Sequence, residues 1–385
     1  MMLRLLYKKF FPVSPFGDFP SSSRFFHENA SLKSITHSSE SSSLTVSYLT
    51  SSCGLSPKAA LRTSKWFTLK TTKNADLVLD FLRNQGFEQT LIAKALTVQP
   101  GLLELHPERN LRPKMDFLIK YGFSDSQLSR ILSRDPSIFT CSLDKTIAPA
   151  FEFLKGLVGT RENVISVIDH SAHPLRQCYK KRLMPNISIL REHGVPVSRV
   201  SRLIIKYPRS LCMASPTRFR EAVVAVHGMG IRPCLTIFVE AVRAMVSISK
   251  SIWDGKVEVY KSLGWSEDEI VSAFSRFPMC MMYSEKKIRS GMEYYIKVLG
   301  WDPSYVSSHP VLLCYSLEKR VIPRCSVLQV LLAKDLIKED LKWTTALYIN
   351  EEQFLERFVT KYMEEAPELM RVYHGMTGSK GIAAI

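Results

Sequence analysis

Glycine recurs along this chain with a nearly constant spacing. The spacings between successive members are 36, 37, 35, 36, 34 and 36 residues, and the glycines are Gly86, Gly122, Gly159, Gly194, Gly230, Gly264 and Gly300. A period in this range is typical of a helical solenoid, in which each repeat is one supersecondary unit. We therefore predict an all-α fold, an α-solenoid of seven to eight helical repeats of about 36 residues.

A proline follows each glycine at a similar distance in all but one unit. The distance is 14 residues for Pro100, Pro136, Pro208 and Pro278, 15 for Pro174 and 10 for Pro310, and the fifth unit has Ala244 in that place. Proline has no N–H to donate and disfavours helix at the residue before it, so it should end the first helix of each unit.

Capping signals place that first helix between glycine and proline. Ser124 to Gln127 and Ser266 to Glu269 have the pattern of capping boxes, and Leu128, Ile131 and Leu132 then follow the spacing of one buried helix face. A short apolar stretch after the proline leads to a second helix. We predict that this helix starts near a second proline and ends at the periodic glycine in a left-handed C-cap. The second prolines are Pro113, Pro149, Pro185 and Pro323.

The two ends of the chain differ in composition from the repeats. Residues 1–26 carry four basic residues and one acid among Leu, Phe and Ser, which is typical of an organelle transit peptide, and Arg24-Phe25-Phe26 looks like a mitochondrial processing signal. We predict a Ser-rich linker over 27–44, repeats over 45–333, an acidic C-terminal helical cap over 334–375 and a disordered tail over 376–385.

The charge of the chain indicates an anionic partner. The formal net charge is +16 and the pI is near 9.5, which favours nucleic acid first and an anionic membrane surface second. No run of about 18 apolar residues occurs, so we expect no membrane-spanning helix.

Signals for metal binding and catalysis are weak. None of the eight cysteines forms a Cys-x-x-Cys pair, and His170 and His173 have no third ligand at a suitable spacing, so we expect surface histidines. Cys141, Cys178, Cys212 and Cys314 each lie four or five residues after a repeat proline, and we expect them to pack in the core. No Ser/His/Asp set, phosphate-binding glycine loop or periodic carboxylate pair is visible. We expect no catalytic activity, no cofactor, no metal and no small-molecule substrate.

Basic residues recur in phase with the prolines. One column lies eight to ten residues after the proline and contains Arg109, Lys145, Arg182, Arg218, Lys287 and Lys319. A shorter column lies two residues before the proline and contains Arg134, Lys206 and Arg276. Cations spaced one repeat apart are suited to follow a phosphate backbone, although any basic solenoid also has Lys and Arg on its exposed side. Tyr179, Tyr207 and Phe277 lie near these columns and are weaker candidates for stacking on bases.

The repeat resembles that of the mitochondrial transcription termination factor family, mTERF. Residues 128–136 and 200–208 resemble the motif Leu-x-x-(Ile/Phe)-x-(Lys/Arg)-x-Pro: each has two apolar residues three positions apart and ends in (Lys/Arg)-x-Pro, with one additional residue between them. Leu263-Gly264-Trp265-Ser266 with the acidic residues after it looks like the plant branch. Tetratricopeptide units would show a Trp-x-x-Leu-Gly-x-x-Tyr pattern, which is absent, and pentatricopeptide units lack the recurrent proline.

The resemblance implies a curved solenoid whose positive concave surface binds nucleic acid in an organelle. Members act in transcription termination or initiation, and in plants also in intron splicing and RNA maturation. We expect a monomeric mitochondrial regulator that binds double-stranded DNA. The alternatives are RNA as the ligand, the chloroplast as the compartment, and a protein-interaction scaffold.

Overall fold

The computed structural model describes residues 39–176, 179–338 and 340–375, and throughout them the regular secondary structure is helical. The predicted transit peptide and tail lie outside these residues. The α-helices are α1 (Ser39–Ser51), α2 (Pro57–Ser64), α3 (Lys73–Asn84), α4 (Gln89–Val98), α5 (Arg112–Lys120), α6 (Asp125–Arg134), α7 (Ala148–Val158), α8 (Arg161–His170), α9 (Met184–Glu192), α10 (Val197–Lys206), α11 (Pro208–Met213), α12 (Pro216–Gly228), α13 (Thr236–Ser247), α14 (Lys250–Ser262), α15 (Glu267–Arg276), α16 (Glu285–Glu293), α17 (Pro303–Ser308), α18 (Ile322–Ala333), α19 (Trp343–Tyr348), α20 (Glu351–Phe358) and α21 (Leu369–Gly375).

Helix α1 begins at Ser39, inside the segment predicted as a linker up to residue 44. Thr45, Tyr48 and Leu49 on this helix are buried. Tertiary packing therefore extends a helix back into a Ser-rich sequence that has little helix propensity of its own.

The chain forms two compact units, one ending at Val223 and the other beginning at Val224. Within the first unit, the first helices of successive repeats, α4, α6, α8 and α10, contact one another in order. Within the second unit, α13, α15 and α17 do the same. The predicted all-α fold of tandem helical repeats is confirmed.

Proline ends the first helix as predicted. Helices α4, α6, α10 and α15 each stop two residues before their proline, which then opens a short turn such as Pro136–Thr140. In the unit that has Ala244 instead, helix α13 runs on to Ser247. The capping boxes at Ser124 and Ser266 are both present.

All seven periodic glycines have a positive φ, between 66° and 94°. Glycine adopts a positive φ without the steric cost of a Cβ, as the predicted C-cap requires, although Gly159 has a ψ of −46° and so departs from the left-handed helical conformation. Gly54, with a φ of 75°, adds an eighth member before the series recognised in the sequence.

The second helix starts earlier than the sequence predicted. In four repeats it opens with a wider π-type turn before the second proline, as where Ile147 N–H bonds to Ser142 O and Val321 N–H to Ser316 O, both at 3.1 Å. The four turns are Pro107–Leu111, Leu143–Ile147, Tyr179–Leu183 and Leu317–Val321. A wider turn moves the preceding carbonyls away from the proline ring, so the proline lies inside a continuous helix.

Side chains on the second helices satisfy backbone carbonyls of the following repeat. Asn186 Nδ2 donates to Leu211 O at 2.8 Å, and Lys256 Nζ donates to Met281 O and Tyr283 O, both at 2.6 Å. Asn74, Lys114 and Arg324 make the same kind of contact. Asn186, Lys256, Lys114 and Arg324 are buried, so these bonds join adjacent repeats away from water.

The acidic C-terminal segment packs on helix α18. Ala346, Phe354 and Leu369 are buried against Leu328 and Leu331 of that helix. The Arg324 guanidinium lies over the Phe354 ring at 4.6 Å and donates to Ala346 O at 2.8 Å. These contacts cover the apolar face of the last repeat, as the end of a repeat array requires.

Two of the periodic glycines give a matched test of inter-repeat packing. A Cβ at Gly264 would lie 2.9 Å from Pro303 Cγ, whereas a Cβ at Gly230 would meet nothing within 4 Å, and both residues have a positive φ. We expect Gly230→Ala to lower the free energy of unfolding by about 1–2 kcal/mol through backbone strain. Gly264→Ala should cost about 1–3 kcal/mol more because Pro303 must move.

Urea denaturation followed by circular dichroism measures both effects. Equal destabilisation of the two variants would show that the Gly264–Pro303 contact does not limit how closely the repeats approach.

Candidate nucleic-acid interface

The longer basic column occupies one structural position. The backbone N–H groups of Arg109, Lys145, Arg218, Lys287 and Lys319 each donate to the side chain of the residue three positions earlier, which caps the helix. The caps are His106, Ser142, Ser215, Ser284 and Ser316. The column is therefore the third residue of the second helix, and we call it the N3 column. Arg182 lies in the equivalent turn, Tyr179–Leu183.

Helix stability does not explain cations at this position. The N-terminus of a helix carries a partial positive charge, so a cation there is unfavourable and an acid is favourable. The acid is already present one residue earlier at three of these turns, as Glu108, Asp144 and Glu318. A hydrogen bond from Arg112 lowers the pKa of the Glu108 carboxyl, which keeps it charged. A recurrent cation next to such an acid therefore points to a contact outside the helix.

The shorter column has a different local role. Arg134, Lys206 and Arg276 are the last residues of α6, α10 and α15. A cation in the last turn interacts favourably with the negative end of the helix, by about 0.3–1 kcal/mol at an exposed site. This local benefit accounts for basic residues here without any ligand, so the shorter column is weaker evidence for binding than the N3 column.

Three of the nine predicted contact residues donate to backbone carbonyls. Arg182 Nη1 donates to Met213 O at 3.0 Å, Lys287 Nζ to Cys314 O at 2.7 Å, and Arg276 Nη1 to Ser308 O at 2.8 Å. The Lys287 ammonium also lies 4.3 Å from the centre of the Tyr283 ring. Each of these bonds reaches the following repeat, so these cations also hold neighbouring repeats together.

Six of the nine predicted residues are exposed, and they are Arg109, Lys145, Lys319, Arg134, Lys206 and Arg276. Of these, Arg276 is the one already bonded to a carbonyl of the next repeat. Arg218 is half-buried. The Lys206 ammonium lies 5.1 Å from the centre of the Tyr207 ring, an arrangement that leaves it accessible. The other exposed cations are the best placed of the predicted set to contact a phosphate backbone.

The predicted histidine and aromatic candidates have varied surroundings. His170 is exposed as expected, but His173 is half-buried, with Nδ1 2.9 Å from Asp135 Oδ1, so the expectation of a surface residue was wrong for His173. The reason is that Ser171 to His173 fold back onto the previous repeat, where Asp135 also accepts from Ala172 N–H at 2.9 Å. Tyr179 is buried, which makes it unsuited to stacking on a base, while Tyr207 and Phe277 are half-buried.

The cysteine prediction is confirmed only in part. Cys212 is buried, Cys141 and Cys314 are half-buried, and Cys178 lies outside the described residues. Within the described ranges no group of three His, Cys, Asp or Glu side chains is arranged to hold a metal ion. In the same part of the chain, no helix is long and apolar enough to cross a membrane.

Among residues 45–375, the excess positive charge lies in the first unit. Residues 45–223 carry 27 Lys and Arg against 14 Asp and Glu, whereas residues 224–375 carry 19 of each. This asymmetry was missed because the sequence was read as one basic repeat array, although counting charge by halves would have found it. Arg109, Lys145, Arg134 and Lys206 lie in the basic unit, and Lys319 lies in the neutral one.

Comparison with known families agrees with this geometry. The mTERF family model matches residues 79–247 and 233–355, well over half of the chain. The chain belongs to the mTERF family. All nine predicted contact residues fall within the matched range. Members of the mTERF family are nucleic-acid-binding regulators rather than enzymes, and membership indicates a role in the transcription of an organelle.

A plant member of the mTERF family is also similar in sequence. The chloroplastic transcription termination factor MTERF8 of Arabidopsis thaliana is 23% identical over 169 residues, which are 44% of this chain and 34% of that protein. The match therefore spans about a third of the relative's length. Its plant origin agrees with the plant-type phrases in the sequence.

Buried cations and exposed cations should respond differently to substitution. Lys256→Met leaves two carbonyls without a donor and should lower the free energy of unfolding by about 2–3 kcal/mol, without changing nucleic-acid affinity. Lys297→Met, at an exposed site, is the control and should change stability by less than about 0.5 kcal/mol.

The same pair has a pH signature. Burial lowers the pKa of Lys256 in the folded protein, so between that pKa and its unfolded value the unfolded chain binds more protons. The contribution of Lys256 to stability therefore rises as pH increases towards the unfolded value. Urea titrations at several pH values measure this contribution. If the difference in the free energy of unfolding between the parent protein and Lys256→Met becomes smaller as the pH rises, the assignment is contradicted.

Proposed function

We propose that this protein regulates organellar gene expression by binding nucleic acid through residues 45–223. The observation that carries the proposal is the uncompensated positive charge of that unit together with exposed cations in the N3 column, at a helix position where they bring no local benefit. In-phase cations suit a polymer with regularly spaced charge, which is the chemistry of a phosphate backbone.

The proposed ligand is double-stranded DNA. The proposed role is transcription termination or its regulation. Membership of the mTERF family supports both, as does the similarity to a plant transcription termination factor. RNA is the alternative ligand, through intron splicing or RNA maturation. We expect contacts mainly to the backbone, because the six of the nine predicted residues that lie within residues 45–223 are all Lys and Arg and show no pattern that would read bases.

Lys145 and Lys319 form a matched pair for testing the interface. Both are exposed N3 residues, both follow an acid, and both have a capping serine, but Lys145 lies in the basic unit and Lys319 in the neutral one. Glutamate at either position would complete a capping box with Ser142 or Ser316, so neither substitution should unfold the protein.

We expect Lys145→Glu to weaken binding to duplex DNA about tenfold at 0.1 M salt and to reduce the salt slope by about 0.9, the value for one phosphate. Lys319→Glu should change affinity less than twofold. Fluorescence anisotropy with labelled duplex DNA, single-stranded DNA and RNA over a salt series gives both numbers. Equal effects of the two substitutions would contradict an interface confined to the first unit, and absence of binding to all three would refute the proposed function.

The compartment is a separate prediction. The basic, acid-poor composition of residues 1–26 supports import into an organelle, with the mitochondrion proposed and the chloroplast, where the plant relative belongs, as the alternative. Fusing residues 1–45 to a fluorescent protein in plant cells should direct it to mitochondria. Chloroplast fluorescence would correct the compartment, and cytosolic fluorescence would refute import.

A further inference from the structure

A second basic surface lies before the residues that the mTERF family model matches. Between Glu40 and Asp76 the chain has no acid, yet it has five cations. All five are exposed, and they are Lys58, Arg62, Lys65, Lys70 and Lys73. This surface falls outside residues 79–355, so it is not part of the periodic basic columns. We call residues 57–73 the N-terminal basic surface.

Helix α2 arranges three of these cations on one side. Lys58, Arg62 and Lys65 follow one another at spacings of four and three residues, which places them along one helix face and its C-terminal end. Ala60 and Thr63 on the same helix are buried. Leu61 is 57% exposed and lies beside the cations. The helix therefore presents a positively charged face with one apolar side chain.

The loop after α2 presents a tryptophan to solvent. Trp66 is 45% exposed, and it lies between Lys65 and the buried residue Phe67. Phe67 and Leu69 are 8% and 4% exposed, and Leu69 N–H donates to the buried Thr45 Oγ1 at 2.9 Å. Buried anchors after Trp66 fix the loop, so the exposure of the indole is a consequence of how the loop is held.

Exposure distinguishes Trp66 from the other tryptophans of this chain. Trp253 and Trp265 are buried, and Trp301 and Trp343 are half-buried. An exposed ring within a segment of exposed cations is suited to a partner that combines negative charge with flat apolar faces.

We propose that the N-terminal basic surface binds single-stranded nucleic acid, with Trp66 stacked on an unpaired base and the neighbouring cations on its phosphates. This inference rests on the proposed function and adds a ligand form to it. Bases in a duplex have both faces covered by their neighbours, so an indole can stack fully only on an unpaired base. The flanking cations supply the sequence-independent charge attraction that such sites combine with stacking.

A membrane surface is the competing partner, and the structure favours it less. Helices that lie in a membrane interface have a long apolar face rich in Leu, Phe and Trp. Helix α2 has eight residues, and its exposed apolar side chain is Leu61 alone. Two exposed apolar residues, Leu61 and Trp66, among five cations suit a nucleic acid better than a lipid bilayer.

Tryptophan fluorescence reads the contact directly in the full chain. Adding a single-stranded oligonucleotide of mixed sequence should quench the fluorescence of the parent protein, and Trp66→Phe should abolish the quenching while most of the binding is retained. Trp343→Phe is the control, and it should leave the quenching unchanged because that ring is half-buried in the C-terminal cap.

Affinity provides the second readout. Trp66→Ala should weaken binding to single-stranded DNA or RNA about 5- to 150-fold, which corresponds to ~1–3 kcal/mol for one stacked base, and should leave blunt duplex DNA unaffected. Tyr348→Ala, at a ring 38% exposed in the neutral unit, is the matched control and should have no effect. Combining Lys58→Glu, Arg62→Glu and Lys65→Glu should lower the single-strand salt slope by about 0.7 for each phosphate that these side chains neutralise in the parent protein.

The outcomes separate this inference from the proposed function. Duplex binding that depends on Lys145, without Trp66-dependent quenching by single strands, would overturn the single-strand site and leave the proposed function standing. No binding to any nucleic acid would overturn both. A Trp66-dependent change in fluorescence that phosphatidylserine vesicles produce and oligonucleotides do not would identify a membrane surface as the partner and overturn the inference.

Discussion

Several repeats end their short post-proline turn with backbone carbonyls that a donor of the preceding repeat satisfies. A donor on the second helix of the preceding repeat bonds to them, as Lys256 does at Met281 and Tyr283 and Asn186 does at Leu211. Buried carbonyls without donors cost about 1–3 kcal/mol each, so adjacent repeats depend on one another for polar as well as apolar contacts. Stacking in this order fixes the phase of every other residue in the repeat.

Because this phase is fixed, basic residues that recur in phase along the sequence occupy equivalent positions in successive repeats. Lys145 and Lys319 occupy the same third position of their second helices, each after a capping serine and within a π-type turn. Some of these cations bond to the next repeat, as Lys287 does, while Lys145 is exposed. One basic column thus serves two purposes, holding repeats together and presenting charge. The difference between them depends on whether a carbonyl of the next repeat lies within reach.

The net positive charge is distributed unevenly between the two units. The unit that ends at Val223 holds all of the net positive charge of residues 45–375, and its first residues add an exposed indole, Trp66, to five cations. The unit that begins at Val224 is neutral, and an acidic segment covers its last repeat. We therefore expect the first unit to supply the affinity for a polyanion, while the second unit can make other contacts.

Sequence alone determined the repeat, because local chemistry sets it: the first proline of a unit ends its first helix, and the periodic glycine adopts the positive φ that ends its second helix. The period, both capping boxes and all seven positive-φ glycines followed from this. The tertiary structure decided what residues separated along the chain do to each other. It placed the start of the second helix in a π-type turn before Pro113, paired His173 with Asp135, and sorted buried Lys256 from exposed Lys145. Each of these depends on which carbonyl or carboxylate of the neighbouring repeat is within hydrogen-bonding distance, and only the packing of repeats sets that distance.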